Sequence, residues 1–202
     1  MKNRYELVEI LKENNCKIGI EIGSYMGNYA KFLLDNWNGF LFLVDAWKKF
    51  PESEYEDVSN QESPKDIISC VFDNLSGYED RTVLIRGDSN TASTIFRDDF
   101  FDFIYIDANH KYNYVFNDMR LWYPKLKEGG IFSGHDFILD YSPEFADENG
   151  DVHVWTYTVN PNISQYVGLF GVNKAVNDFC NLIKKSYEIT EDEYFATWYF
   201  KK

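Results

Sequence analysis

Apolar and polar positions along this chain alternate between two rhythms. Short β-branched or aromatic runs stop at a glycine or an acid, and each gives way to a stretch in which apolar residues recur three and four apart. Residues 3 to 15, with Leu7, Ile10 and Leu11 among polar neighbours, predict an amphipathic helix that packs ahead of the first strand. The run from Lys17 ends at Glu21-Ile22-Gly23, and a helical pattern with Ala30, Phe32, Leu33 and Trp37 follows Gly27. Phe40 to Ala46 is a second buried strand, Thr82 to Asp88 a third and Phe101 to His110 a fourth. Between them Ile67, Ile68, Val71, Phe72 and Leu75 predict a helix, and residues 91 to 96 a shorter one. Val115, Met119, Trp122 and Leu126 predict a helix ending at Gly129-Gly130, ahead of a fifth strand over Ile131 to Phe137. Strand and helix alternating in this way predict an α/β, doubly wound sheet whose ligands bind at the carboxyl edge.

Two stretches break the rhythm. Residues 47 to 64 are polar and aperiodic, a loop over the carboxyl edge. Residues 138 to 170 carry Tyr141, Phe145, Trp155, Tyr157 and Tyr166 with little helical periodicity, and only 152 to 159 alternate as a strand or hairpin arm would. A connection of that length predicts a lid or binding loop, here a lid over the acceptor, with an oligomer interface or an edge-strand cover as the alternative. Val172, Ala175, Val176, Phe179 and Ile183 form a last helix, and residues 187 to 190 and 195 to 200 read as two closing strands. No linker or repeat interrupts residues 1 to 202, which predict a single domain.

The candidate residues up to the fifth strand all fall on the carboxyl edge of the sheet. Gly23 and Gly27 admit positive φ and leave the backbone open to a ligand. Their Gly-x-x-x-Gly spacing lacks the glycines a dinucleotide fingerprint would place at Tyr25 or Asn28. Asp45 follows Gly23 by about the 20 residues at which a βαβ unit sets an acid on a ribose diol, so it supports a nucleoside cofactor without choosing one. Gly87-Asp88-Ser89 repeats the pattern, with Asp88 equally suited to cap the next helix. Asp107 and His110 arrive together after the fourth strand.

Glu21-Ile-Gly-Ser-Tyr-Met-Gly27 resembles the first motif of class I S-adenosylmethionine-dependent methyltransferases, and Gly87-Asp88-Ser89 resembles their third cofactor segment. Ile106-Asp-Ala-Asn-His-Lys-Tyr112, Asp118, Trp122-Tyr-Pro124, Leu126-Lys-Glu-Gly-Gly130, Gly134-His-Asp-Phe137 and the later Gly171 to Phe179 resemble the macrocin O-methyltransferase-like and cephalosporin-hydroxylase-like subgroup. The resemblance runs from about Lys17 to Phe137 and resumes at Gly171. It implies a Rossmann-like, mostly parallel seven-stranded sheet with the last strand antiparallel and helices on both faces. It also implies a cofactor, S-adenosylmethionine, held by Glu21, Gly23, Ser24, Gly27, Asp45, Asp88, Ser89 and Asp107. Members of this kind often hold Mg²⁺ at positions that fall here on Asp107, His135 and Asp136, with His110 as the candidate base. His135 stands where metal-dependent relatives commonly have an acid, and imidazole is a poorer Mg²⁺ partner than carboxylate. Mn²⁺, weak binding, or a metal-free site with Asp136 and His110 as an acid–base pair therefore stay open. The implied reaction is methylation of a hydroxyl on a small molecule or sugar.

A nicotinamide-dependent oxidoreductase would share the sheet and Asp45 but should carry glycine at position 25 or 28. A nucleoside-binding module without turnover would need neither Asp107 nor His110. The net charge of −13 argues against a nucleic-acid partner, which calls for clustered Lys and Arg. No apolar run approaches the ~20 residues of a membrane helix and the first residues lack a signal peptide's apolar segment, so a cytoplasmic protein is expected. A homo-oligomer is compatible with the sequence. Cys16, Cys70 and Cys180 fit neither a disulfide framework nor a zinc site.

Overall fold

The computed structural model describes residues 1–51, 63–139, 141–157, 164–191 and 194–202. Strands β1 (Ile18–Ile22), β2 (Phe40–Asp45), β3 (Thr82–Arg86), β4 (Phe101–Ile106) and β5 (Leu126–Ile138) run parallel, and β9 (Phe195–Lys201) pairs antiparallel with β5 and with the short β8 (Glu188–Ile189). The sheet order is β3-β2-β1-β4-β5-β9-β8. This is the doubly wound sheet that the alternation predicts, with the seven strands and antiparallel last strand that the resemblance implies. Because the chain winds outward from β1 to β3 and then crosses to β4, the two windings diverge between β1 and β4, and a crevice opens there.

Both faces are covered, which is why the strands are apolar at consecutive positions and not at alternate ones. Leu41, Leu43, Phe103 and Tyr105 face one core with α1 (Leu7–Glu13), α2 (Asn28–Asn36) and α3 (Pro64–Asn74). Val44, Ile104, Ile106 and Phe132 face the other with α4 (Ser89–Ser93), α5 (Tyr112–Trp122) and α6 (Val172–Ile183).

Three boundaries differ from the sequence reading. α5 stops at Trp122, well before Gly129-Gly130, because Pro124 has no N–H to continue the ladder; a 3₁₀ turn over Tyr123–Lys125 leads directly into β5. α4 ends at Ser93 instead of reaching Phe96. The arm over 152 to 159 gains a partner: β6 (Val152–Tyr157) pairs antiparallel with β7 (Ser164–Phe170) as a separate two-stranded sheet. Its inner end joins Ile138, Val152, Val154 and Phe170 in a small satellite core. The projection expected for Trp155 and Tyr157, and most of the 47–64 loop, lie outside the described residues. No helix among the described residues is long and apolar enough to cross a membrane. All three cysteines are free thiols; burial pushes Cys16 up to about 11 and Cys180 to about 12.

Candidate active site

The carboxyl ends of β1 to β4 and the turn before α1 enclose a cavity of about 420 Å³. Its lining contains Glu21, Gly23, Ser24, Asp45, Asp88, Ser89, Asp107 and His110, while Gly27, His135 and Asp136 lie outside it. Gly27 sits just behind the lining, in the left-handed conformation (φ 77°) that starts α2.

Glu21 forms the floor. It is only 2% exposed, and its Oε2 has no hydrogen-bond partner among the described residues. Burial first, and repulsion from Asp107 second, push its carboxyl well above the usual range. An orphaned buried carboxyl oxygen is costly unless a ligand brings a donor to it.

Gly23 lines the cavity, and its lack of a side chain has a second use on the side away from it. A Cβ there would lie 2.0 Å from the carbonyl oxygen of Asp107 and 2.5 Å from the Cα of Ala108. The missing side chain makes room for the β4 loop, and Gly23 also needs its positive φ of 88°.

Asp45 braces two loops. One oxygen accepts from the Tyr25 N–H at 2.9 Å and the other from the Trp47 N–H at 2.7 Å, while Trp47 Nε1 donates to the Tyr25 carbonyl at 2.9 Å. Burial raises its pKa. Tyr25 and Trp47 hold φ values of 46° and 41°, a left-handed geometry that these bonds stabilise.

At the β3 end, Asp88 is the N-cap of α4, accepting from the Thr91 N–H and the Thr91 hydroxyl, both at 2.9 Å. Beside it Trp122 Nε1 donates to Ser89 Oγ (2.8 Å), which donates to Asp118 Oδ1 (2.6 Å). Burial pushes the Asp118 carboxyl up to about 7.

At the β4 end, His110 Nε2 lies 2.9 Å from Asp136 Oδ2 and 3.9 Å from Asp107 Oδ1. The ligating atoms of Asp107, His110 and Asp136 all fall within 4.8 Å of one another. His135 is not in that group; its Nδ1 stands 3.3 Å from Asp136 Oδ1. The candidate cation ligands thus combine two carboxylates with His110 in place of His135. Asp136 sits behind His110, outside the cavity lining, at a φ of 59°. Burial would raise its pKa, but the His110 and His135 imidazoles outweigh burial and hold the carboxyl well below the usual range. His110 is in turn pinned: its ring stacks on Phe170, and its carbonyl accepts from the Gly171 N–H at 2.7 Å.

The sequence reading gave no role to Arg4, whose Nη1 stands 3.8 Å from Asp107 Oδ2 in the cavity wall. Nor did it give one to Asp118 beyond the motif. Helical periodicity marks α1 as packing and carries no sign of a partner about a hundred residues away. No described residue between 138 and 170 lines the cavity; the hairpin reaches the site through Phe170 on His110.

A parallel sheet wound in two directions, with acids from four strand ends around one crevice, is the architecture in which nucleoside cofactors bind. Residues 20–137 match the family described as methyltransferase domain. That is more than half of the chain, and the protein belongs to this family. It shares its fold with the SAM complex of the O-methyltransferase TomG from Streptomyces achromogenes, involved in tomaymycin synthesis (TM-score 0.61, 10% identity, 98% of this chain and 78% of that one). A second likeness is to the SAH complex of an O-methyltransferase from Bacillus cereus (TM-score 0.58, 16% identity, 98% and 80%). A third is to an SAH-bound methyltransferase from Podospora anserina (TM-score 0.56, 17% identity, 97% and 76%). No curated protein gives a significant match to the sequence. The protein is therefore an enzyme of the methyltransferase family, built on the fold of S-adenosylmethionine-dependent methyltransferases.

Proposed function

We propose that the protein transfers the methyl group of S-adenosylmethionine to a hydroxyl of a small molecule or sugar, as the motifs shared with the macrocin O-methyltransferase-like subgroup imply. The carrying observation is that His110, backed at 2.9 Å by the buried Asp136, stands in the same cavity wall as Glu21, whose orphaned oxygen suits the cofactor's ammonium. S-adenosylmethionine supplies an electrophilic methyl on a sulfonium. Asp45 accepts hydrogen bonds from the ribose, Gly23, Ser24 and Gly27 shape the turn against it, and the cavity lining at Asp88 and Ser89 receives the base. His110 takes the acceptor's proton at Nδ1, because Nε2–H is given to Asp136, which orients the imidazole and stabilises its charged form, as an acid behind a histidine base does. Asp107, in the same wall between Glu21 and His110, adds negative charge that favours the sulfonium and the protonated imidazole.

Where a divalent cation binds, Asp107, His110 and Asp136 would hold it, with His135 adjoining, and it would stabilise the acceptor's alkoxide. A histidine that ligates cannot also be the base, so the two versions exclude each other. The 2.9 Å contact and the burial of Asp136 behind His110 favour the metal-free pair. Residues 138 to 170 act as the acceptor lid.

Titration calorimetry against S-adenosylmethionine and NAD tests the cofactor; heat with NAD alone would make the protein an oxidoreductase. Methyl-labelled S-adenosylmethionine offered with catechols, phenols and sugars, with and without chelator, tests the acceptor class and the cation. Binding without transfer to any hydroxyl would favour the nucleoside-binding module.

A further inference from the structure

An amino acid carries two opposite charges on one carbon, and the cavity has one obvious partner for each. Glu21 supplies the negative one. The turn before α1 brings Arg4 beside it, close enough to offset part of the cost of charging the buried Glu21. That turn is fixed: the Asn3 side chain accepts from the Tyr5 N–H, the Tyr29 hydroxyl donates to the Arg4 carbonyl at 3.1 Å, and the guanidinium lies 5.0 Å from the centre of the Tyr29 ring. Tyr5 meets Phe32 edge to face, and Leu7, Val8 and Leu11 anchor the following helix in the core.

We propose that Arg4 binds an α-carboxylate at the β1–β4 end of the cavity, that of the methionine part of S-adenosylmethionine. The inference rests on the donor reading above. The sulfonium must face His110 for its methyl to reach an acceptor there, and the amino-acid tail hangs from the same sulfur by a short aliphatic spacer. Its carboxylate therefore falls among Glu21, Asp107 and Arg4. Bringing it near two carboxylates without a cation would be repulsive.

Several backbone donors of the β1 and β4 turns already have acceptors within the protein. The N–H groups of Gly23, Tyr25, Gly27 and Asp107 go to the Val44 carbonyl, Asp45, the Ser24 carbonyl and the Ile22 carbonyl. Of the lysines and arginines lining the cavity, Lys48 stands at the opposite end, over the Phe50 ring and within electrostatic reach of Asp88. The residues outside the described set contain no lysine or arginine to take the part. The 3.8 Å contact of Arg4 with Asp107 is an ion pair longer than a hydrogen bond, and a planar guanidinium with five donors suits a bidentate carboxylate.

The test compares S-adenosylmethionine with 5′-methylthioadenosine, which keeps the nucleoside and lacks the amino acid. Calorimetry on the full chain should show Arg4→Gln weakening S-adenosylmethionine binding at least about tenfold while 5′-methylthioadenosine binding changes by less than about twofold. Arg4→Lys should recover part of the loss. Equal loss for both ligands would make Arg4 a support of the N-terminal turn, and no loss for either would remove it from the site; either result overturns the inference. If the wild-type chain binds 5′-methylthioadenosine but gains nothing from the amino acid, Arg4 fails while the nucleoside pocket stands. If it binds neither, the donor reading itself falls and takes this one with it.

Discussion

The imidazole of His110 lies almost flat on the ring of Phe170, with centroids 4.6 Å apart and planes 20° from parallel. Phe170 ends β7 of the hairpin while His110 lies in the loop after β4, and the stack joins the hairpin to the chemistry. A stacked pair contributes roughly 0.5–1.5 kcal/mol beyond its area. Phe170→Leu, which keeps the bulk in the satellite core, should lower kcat by up to about tenfold and leave cofactor affinity unchanged. An unaltered kcat would limit Phe170 to packing.

Asp107→Asn and Asp136→Asn should each abolish methyl transfer, Asp136→Asn with little change in cofactor affinity, and His110→Gln should cost about 10²–10⁴ in rate, the usual contribution of a positioned base. Activity that survives excess chelator selects the metal-free pair. Activity that disappears with chelator and returns with Mn²⁺ or Mg²⁺ selects the cation.

Asp45→Ala should weaken S-adenosylmethionine binding more than tenfold, since a charge-assisted bond to a ribose hydroxyl is worth roughly 1.5–3 kcal/mol. It also strands the Tyr25 and Trp47 N–H groups, at about 1–3 kcal/mol each. The melting temperature should therefore fall by several degrees. A lower melting temperature with unchanged affinity would assign Asp45 to the turn alone.

Asp118 predicts a pH dependence of stability. Its carboxyl titrates near 3.9 in the unfolded chain and at about 7 in the fold, so between those values the folded state binds the extra proton. Stability then falls as pH rises through that window, by up to about 4 kcal/mol, and the full cost persists above it. Asp118→Asn keeps an oxygen for Ser89 and removes the charge. Its melting temperature should match the wild type near pH 4 and exceed it near pH 8. A difference that does not vary with pH would contradict this account.

Replacing residues 155 to 166 with a short Gly-Ser turn keeps Asp151, which accepts from the Tyr112 N–H at 2.6 Å, and keeps Phe170. S-adenosylmethionine affinity should survive and turnover should be lost if this segment holds the acceptor. A variant that still methylates, or that only changes its oligomeric state, removes the lid.

The sheet was legible because each strand run is punctuated where it ends: Gly23, Asp45, Gly87 and Asp107 mark the edge that holds the cavity. Ser164 to Phe170 does not alternate cleanly and carries Gly168, so β7 left no period-two signal. The helix stop at Trp122 was masked by apolar Leu126, which keeps the helical spacing while belonging to β5. At the site, short-range spacing exposed Asp107 and His110. Exchanging His135 for His110 among the converging ligands depends on the left-handed turn at Asp136, which no spacing records. Arg4 acts across the fold, and an arginine on an amphipathic segment reads like any solvated cation.

Where a side chain would project from Gly23, the carbonyl of Asp107 occupies the space, and the Asp107 N–H is bonded to the Ile22 carbonyl at 2.8 Å. The turn that would seat the donor and the loop that would work on the acceptor are thus interlocked as one part. Neither can be exchanged, lengthened or shifted alone, so redesign toward a new acceptor has to graft both loops together or vary the cavity wall elsewhere and leave this joint intact.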